Sequence, residues 1–181
     1  MKKVLFIVGS LRKRSLNRQL AEASCRYLDG AEAEFLDCGI FPFMDQDLEY
    51  PVPEPVRAAR EAVAASDGIW LVTPEYNHSY SGVMKNAIDW LSRPVDPLDR
   101  KTPSVLKGKK VTISGAAGSD AAIDARINTV QLALKVGMEV IGGEGFGIAL
   151  GKDAFVTDEL VLTAEEEEAL ARQAREFLNH I

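Results

Sequence analysis

Residues 4–8 form an uninterrupted apolar run, Val-Leu-Phe-Ile-Val, which Gly9 and Ser10 follow at once. A strand that alternates apolar with polar residues has one face in water, whereas an unbroken run is typical of a parallel strand buried on both faces. A parallel sheet needs crossover connections, usually helices, and these cover both of its faces. This first strand therefore favours an α/β architecture.

Apolar runs and helical periodicities alternate along the rest of the chain. Further runs predict strands at residues 31–38, 68–73, 110–114 and 139–141. Apolar residues at helical spacing predict helices at residues 16–27, 55–66, 83–91, 121–136 and 163–178. This alternation predicts an α/β three-layer sandwich around a five-stranded parallel sheet. The flavodoxin-like order 2-1-3-4-5 is natural for five strands, and it places a ligand at the carboxyl ends of strands 1, 3 and 4.

Length and composition exclude several classes of protein. With 181 residues the chain suits one domain, so we treat residues 1–181 as a single domain. The longest apolar runs have the length of strands, which predicts no membrane-spanning segment, and the run after Met1 is short for a signal peptide. Cys25 and Cys38 lack the spacing of a metal or redox motif, and we expect both to be reduced. These features favour a cytoplasmic protein without a membrane partner.

The charge is unevenly distributed along the chain. A formal net charge of -6 disfavours a nucleic-acid partner. Residues 1–21 nevertheless contain six cations and no acid. A cationic segment on an acidic chain indicates a binding site for a small anion rather than for a polyanion.

The loop after the first strand combines neutral and charged hydrogen-bond donors. Between a buried strand and the first turn of a helix stand Ser10, Arg12, Ser15 and Asn17. The free N–H groups and the dipole of a helix start attract anions. The loop contains neither the Walker A nor the Gly-x-Gly-x-x-Gly pattern, so it predicts a phosphate site of another kind. The alternative is that Ser15 only caps the helix while the cations face solvent.

The loop after the third strand carries aromatic, amide and carboxylate groups. Pro74 stops the strand, so the next residues must turn across the edge of the sheet. Glu75, Tyr76 and Asn77 then offer groups that suit a flat heteroaromatic ring with hydrogen-bonding edges. The alternative is a tyrosine-bearing surface loop. Residues 77–79 also match the glycosylation sequon, which we attribute to chance.

Two motifs together are similar to those of a known family. Ser-Leu-Arg-x-x-Ser-x-Asn begins at Ser10, and Thr-Pro-Glu-Tyr-Asn-x-Ser begins at Thr73, followed by Gly-Val-Met-Lys-Asn-Ala-Ile-Asp-Trp from Gly82. The chain resembles the NADPH-dependent FMN reductases, which include quinone, azo and chromate reductases. The resemblance implies a flavodoxin-like fold that holds FMN non-covalently, takes hydride from NADPH or NADH and reduces a small-molecule electron acceptor. It also implies a homodimer or homotetramer.

The resemblance assigns residues to the cofactor. It implies that the FMN phosphate is bound by Ser10, Arg12, Ser15 and Asn17. It implies that the isoalloxazine ring is lined by Pro74, Glu75, Tyr76 and Asn77 and approached from its other side by Ser114 and Gly115. The chain departs from the family pattern at His78 and Ser81, where Gly and Pro are common, and at residues 118–120, where a Gly-Gly pair is common.

Several other residues receive structural interpretations. We expect a solvent-facing His78, an ion pair of Lys85 with Asp89, a flexible turn at the glycines of residues 143–147, and a capping box of Thr163 with Glu166. No catalytic side chain is assigned, because the flavin would carry out the chemistry.

Two other functions are compatible with the same motifs. One is a flavodoxin-type FMN electron carrier, and the other is an FMN-binding module without enzymatic activity. An assay of NAD(P)H oxidation with a quinone separates them from a reductase. A hydrolase is disfavoured because the sequence has no Gly-x-Ser-x-Gly elbow with a plausible triad.

Overall fold

A computed structural model describes residues 1–96 and 98–181. The strands of this part of the chain are β1 (Lys2–Val8), β2 (Ala31–Leu36), β3 (Gly68–Thr73), β4 (Lys110–Ala117), β5 (Glu139–Val140) and β6 (Phe146–Ala149). Its helices are α1 (Leu16–Cys25), α2 (Glu54–Ala65), α3 (Gly82–Leu91), α4 (Ile123–Lys135), α5 (Lys152–Thr157) and α6 (Ala164–His180). Short 3-10 turns lie at Cys38–Ile40 and Gln46–Leu48.

The strands form one parallel sheet in the order β2-β1-β3-β4-β5, with β6 also paired to β4. This order confirms the predicted flavodoxin-like fold. Leu5 and Ile7 of β1 pack in a core with residues of α2, α3 and α4, whereas Val4 and Phe6 pack in a second core with α1 and α6. Helices on both faces explain why β1 carries an uninterrupted apolar run.

The fifth strand is broken into two parts. β5 pairs only with Lys110 and Val111 of β4, whereas β6 pairs with residues 114–117. The prediction that the fourth strand ends at Ser114 was therefore wrong by three residues. β6 supplies hydrogen-bonding partners as far as Ala117, and this pairing outweighs the low strand propensity of Gly and Ala.

The glycine-rich segment connects these two short strands. Gly143 and Gly145 lie in the connection with positive φ values of 60° and 63°, which glycine adopts at no steric cost. A Cβ on Gly145 would lie 1.8 Å from the carbonyl oxygen of Ile113, so no other residue fits there. Gly147 belongs to β6. The interpretation of all three glycines as a flexible turn was therefore wrong for Gly147.

Gln173 of α6 fills the break in the fifth strand. Its Nε2 donates to Thr112 Oγ1 at 2.8 Å and to the carbonyl oxygen of Ile113 at 2.7 Å. Its Oε1 accepts from Ser114 Oγ at 2.9 Å, and Ser114 Oγ accepts from Trp70 Nε1 at 3.0 Å. A buried side chain thus satisfies a backbone carbonyl that an unbroken strand would otherwise pair with, together with two buried hydroxyl groups.

Several local predictions agree with the structure. Thr163 and Glu166 form the capping box of α6, and Lys85 Nζ lies 2.7 Å from the carboxylate of Asp89. Helix ends differ from the predicted ones by a few residues, and α5 was not predicted. Both cysteines are free, and burial raises the pKa of the Cys38 thiol to about 12. No helix of the described residues is long and apolar enough to cross a membrane.

Candidate functional site

A cleft of about 180 Å³ lies where the carboxyl ends of β1, β3 and β4 meet. Seven of the ten predicted site residues line it, namely Ser10, Arg12, Ser15, Asn17, Pro74, Glu75 and Tyr76. The other lining residues are Leu16, Ala116, Ala117, Gly118, Leu150 and Phe155. Asn77, Ser114 and Gly115 do not line the cleft. The two polar loops that the sequence singled out thus meet at one edge of the sheet.

The helix start beneath the first loop offers unused hydrogen-bond donors. Ser15 is the N-cap of α1, and its Oγ accepts from the backbone N–H of Arg18 at 3.1 Å. The first-turn N–H groups of a helix have no intrahelical acceptor, so those of Leu16 and Asn17 are available to a ligand. Together with the helix dipole, they make this end of the cleft suitable for an anion.

The side chain of Asn17 is turned toward β4. Its Nδ2 donates to the carbonyl oxygen of Ala116 at 2.8 Å, and its Oδ1 accepts from the N–H of Ala116 at 2.9 Å. Asn17 is buried, and one N–H of its amide remains for any other partner. Its main contact in the structure therefore fixes the start of α1 against the end of β4.

Arg12 forms an ion pair with Asp158, which follows α5. The Nη2 atom of Arg12 makes this contact, and the side chain of Arg12 is 53% exposed. The guanidinium thus lies at the rim of the cleft with part of its donor set unused.

The loop after β3 makes a tight two-residue turn. The N–H of Tyr76 donates to Ser79 O at 2.9 Å, and the N–H of Ser79 donates to Tyr76 O at 3.2 Å. Asn77 and His78 have φ values of 52° and 60°, as the central residues of a type I′ turn require. Asn is favoured at the first of these positions and Gly at the second, so His78 occupies a place where a Cβ is unfavourable.

His78 faces solvent, as predicted, and it is bound to α4. Its side chain is 78% exposed, and its Nδ1 lies 2.7 Å from Oδ2 of Asp124. Asn128 Nδ2 donates to the carbonyl oxygen of His78 at 2.9 Å. The hydrogen bond and the charge of Asp124, together with the charge of Glu75, raise the pKa of His78.

Glu75 caps the start of α4 in place of an N-cap side chain. The N-cap residue Ala122 has a left-handed φ of 55° and no side-chain cap, and Glu75 Oε2 accepts from the N–H of Ala125 at 3.0 Å. Ligand-type atoms of Glu75, His78 and Asp124 lie within 4.8 Å of one another. The hydrogen bonds to Ala125 and between His78 and Asp124 account for this cluster.

Two predicted residues lie behind the cleft. Ser114 is fully buried in the hydrogen-bond network of Gln173, and a Cβ on Gly115 would lie 2.7 Å from the carbonyl oxygen of Thr73. Because β4 is three residues longer than predicted, the cleft is lined by its last two residues, Ala116 and Ala117, and by Gly118 after it.

Arg126 supports the wall behind the cleft. Its Nη1 donates to the carbonyl oxygens of Glu144 and Gly145, both at 3.0 Å, and its Nε donates to Ala121 O at 3.1 Å. Burial lowers the pKa of this guanidinium, and the negative charges of Glu144 and Glu75 oppose that shift. Arg126 thus joins the loop after β4 to the broken fifth strand, a role that no sequence pattern predicted.

Sequence reasoning also missed Leu150 and Phe155, which line the cleft from the segment after β6. α5 has six residues, which is too short for a helical periodicity to be evident. One usable signal was the charge pattern, because Asp158 and Glu159 could complement the cations of residues 12–14.

The fold and the cleft define a flavodoxin-like α/β protein whose two polar loops border one cleft at the carboxyl edge of its sheet. A sequence model of the family described as "NADPH-dependent FMN reductase" matches residues 2–153. The chain therefore belongs to the NADPH-dependent FMN reductase family.

Individual relatives agree with this membership. A "2-hydroxy-1,4-benzoquinone reductase" of Burkholderia sp is 45% identical over 93 residues, 51% of each chain. An "NAD(P)H:quinone oxidoreductase" of Solanum tuberosum is 38% identical over 122 residues, 64% of this chain and 59% of the relative. The chain thus spans about half to three-fifths of the length of these relatives.

Solved structures show the same likeness. The flavoenzyme FerB, an NAD(P)H:(acceptor) oxidoreductase from Paracoccus denitrificans, has a TM-score of 0.83 and 30% identity, with 99% of both chains covered. A flavodoxin from the domain Archaea has a TM-score of 0.62 at 10% identity, with 98% of this chain and 97% of that chain covered, which shows a shared fold alone.

Proposed function

We propose that this chain is an FMN-dependent NAD(P)H oxidoreductase that reduces quinone-like, azo or other small oxidants by hydride transfer through bound flavin. The observation that carries the proposal is the cleft itself, which joins an anion-binding helix start to the loop of Pro74, Glu75 and Tyr76. Residues 1–181 would form a single FMN-binding domain in the cytoplasm. The two free cysteines are in keeping with a reducing compartment.

The donor set at one end of the cleft fits the phosphate of FMN. Ser10 and Ser15 offer hydroxyl groups, Arg12 offers a charged fork, and the start of α1 offers backbone N–H groups. The amide of Asn17 has one N–H left for the same ligand. These are neutral and positive donors of the kind that phosphate requires.

The other end of the cleft fits the ring. Pro74, Glu75 and Tyr76 line one side, and residues 116–118 line the other with small side chains or none. In the proposal, backbone groups near Asn77 reach the polar edge of the ring. In the proposal, Ser114 and Gly115 support the wall of the cleft from behind, and residues 116–118 stand on the side of the ring that the resemblance assigned to Ser114 and Gly115.

Bound FMN would supply the redox chemistry, because it accepts hydride from NADPH or NADH and delivers it to a second substrate. The residues of this chain would bind and orient the cofactor. Arg12 and the start of α1 anchor the phosphate, while the turn of residues 76–79 holds the open side of the cleft in one shape. Backbone donors near Asn77 would stabilise the negative charge of the reduced cofactor. No side chain needs to act as a nucleophile.

We also propose a homodimer or homotetramer. Exposed apolar side chains lie at Tyr76 on the turn and at Ile127 and Leu134 on the outer face of α4. The cleft of about 180 Å³ is smaller than the ~300 Å³ at which ligand pockets usually begin. A second copy that covers the turn and α4 would enlarge it. Light scattering at micromolar concentration checks this, and a strictly monomeric, fully active species would contradict it.

Two measurements test the function. The purified chain is titrated with FMN while the visible spectrum and the melting temperature are followed, and the loaded protein is then assayed for NAD(P)H oxidation with a benzoquinone. We expect a shifted flavin spectrum, a higher melting temperature and quinone-dependent oxidation. Binding without oxidation would favour an electron carrier or a non-enzymatic module. The absence of FMN binding would reject the proposal.

A further inference from the structure

Residues 150–160, which we call the strap, lie against the loop that follows β1 and against the start of α1. The strap leaves β6 at Leu150, whose N–H donates to Ala117 O at 2.7 Å, and then passes through α5. Leu150 and Phe155 line the cleft. The family match ends at residue 153, so the second half of the strap lies outside it.

Polar contacts fasten the strap to the first loop and to α1. Arg14 Nη2 donates to Thr157 O at 2.7 Å. Gln19 Nε2 donates to Asp158 O at 2.8 Å, and Gln19 Oε1 accepts from the N–H of Leu160 at 2.8 Å. These bonds hold the backbone of the strap, whereas the ion pair of Arg12 with Asp158 joins two side chains.

Apolar burial contributes little to the docking of α5. Leu150 and Leu160 at the ends of the strap pack against the apolar core. Between them, no residue of α5 is buried, and Phe155 and Val156 are 52% and 83% exposed. The position of α5 thus depends mainly on polar contacts. One of these contacts uses Arg12, the side chain that would also bind the phosphate.

The backbone conformation at Asp158 makes its side chain notable. Asp158 is the C-cap of α5 with a left-handed φ of 57°, a position that favours Gly and tolerates Asn. Its carboxylate is 21% exposed and contacts Arg12. Helix capping alone therefore does not explain why Asp stands here.

The ion pair leaves most of the guanidinium free. Asp158 contacts Nη2, and within residues 1–96 and 98–181 neither Nε nor Nη1 of Arg12 has a hydrogen-bond acceptor. A flexible side chain that becomes fixed only on binding loses rotamer entropy at that moment. Asp158 already holds Arg12 before a ligand arrives, so less of this entropy is lost on binding.

We propose that Asp158 is a positioning residue for the cofactor, which holds the Arg12 guanidinium so that its free N–H groups meet the phosphate of FMN. The inference rests on the proposed function, because it requires FMN in the cleft. It predicts that the strap selects for flavins that carry the phosphate.

Two substitutions test this role without disturbing the cap. Asp158→Gly removes the side chain, and Asp158→Asn removes the charge but keeps an acceptor, while both residues suit the left-handed conformation. Each variant is titrated with FMN and with riboflavin, and flavin fluorescence is followed. We expect Asp158→Gly to weaken FMN binding by roughly three- to tenfold and Asp158→Asn by about two- to threefold, with riboflavin binding unchanged. In an Arg12→Ala background, Asp158→Gly should have no further effect.

Glu159→Gln is the matched control. It makes the same change of charge on the next residue, which pairs with Arg14 at 3.7 Å, and it should leave both affinities unchanged. An equal loss for FMN and riboflavin would overturn the positioning role, and so would tighter FMN binding, which would mean that Asp158 competes with the phosphate. Either result leaves the proposed function intact. A wild-type chain that binds neither flavin would overturn both proposals.

Discussion

The side-chain amide of Asn17 and the backbone of Ala116 form a two-way hydrogen-bonded pair, at 2.8 and 2.9 Å. The pair joins the first turn of α1 to the end of β4 across 99 positions of sequence. It thereby sets the distance between the donors of the first loop and the wall of the cleft at residues 116–118. A residue that resembled a ligand contact is also the joint between the two halves of the site.

Asn17→Ala should lower the stability of the ligand-free protein. The substitution leaves a buried N–H and a buried carbonyl of Ala116 without their partner, which costs about 1–3 kcal/mol per group. Urea denaturation without flavin measures the loss. Asn179→Ala removes an exposed amide from α6 and should change stability by less than about 0.5 kcal/mol. Equal effects of the two substitutions would show that the hydrogen-bonded pair of Asn17 with Ala116 does not stabilise the protein.

Arg12→Ala should weaken FMN binding by about 1.5–3 kcal/mol, the range for hydrogen bonds to charged groups. Riboflavin affinity should change much less, because riboflavin lacks the phosphate. Lys13→Ala is the control from the same loop, since Lys13 does not line the cleft. A similar loss for both flavins, or for both variants, would show that Arg12 acts through general charge or loop structure.

His78→Gly should be more stable than His78→Ala. Both substitutions lose the contact with Asp124, but only Ala keeps a Cβ at a φ of 60°. The left-handed conformation costs a non-glycine residue about 1–2 kcal/mol, part of which the greater freedom of glycine in the unfolded chain offsets. Thermal unfolding should therefore favour Gly by roughly 0.5–1 kcal/mol. If Ala equals or exceeds Gly, the turn is not under this constraint.

The contact of His78 with Asp124 should make stability depend on pH. Its pKa is raised in the folded state above the ordinary value of 6.5, so the stabilisation is fully present below about pH 6.5 and is lost as pH rises through the folded-state pKa. Free energies of unfolding measured from pH 5 to 9 should show this fall. Asp124→Asn should abolish it, and an unchanged pH profile in that variant would assign the dependence to another group.

Turnover should follow ping-pong kinetics. The two free cysteines are not close in sequence as a dithiol would be, so hydride would enter and leave through the flavin alone. If donor and acceptor use the same open side of the cleft, they must alternate. Double-reciprocal plots at several fixed acceptor concentrations should then be parallel. Intersecting lines with a demonstrated ternary complex would refute the shared site while leaving FMN binding unaffected.

The strand order and the place of the cleft were predictable because both depend on patterns local in sequence. The unbroken run of β1 and the stop at Pro74 identify buried strands and their ends without knowledge of the fold. Strand order then brings the two polar loops together.

Contacts between distant parts of the chain were not predictable in this way. The partner of Asn17 is 99 residues away, and the partner of Arg12 is 146 residues away. The sequence around Asn17 contains no trace of its pairing, and the only signal for the pairing of Arg12 is the acidic charge of residues 158–159. The extension of β4 to Ala117 has the same origin, because only pairing with β6 turns a Gly-Ala-Ala segment into strand.

The broken fifth strand also bears on self-association. A long edge strand exposes a row of unpaired N–H and C=O groups that can template pairing with another molecule. Here that edge consists of strands of two and four residues separated by glycines, and Gln173 covers the interval from the inside. This edge of the sheet, opposite the edge strand β2, is therefore too short and too irregular to nucleate intermolecular sheet growth. The break that disturbs the strand thus also blunts one of the two edges at which another chain could pair.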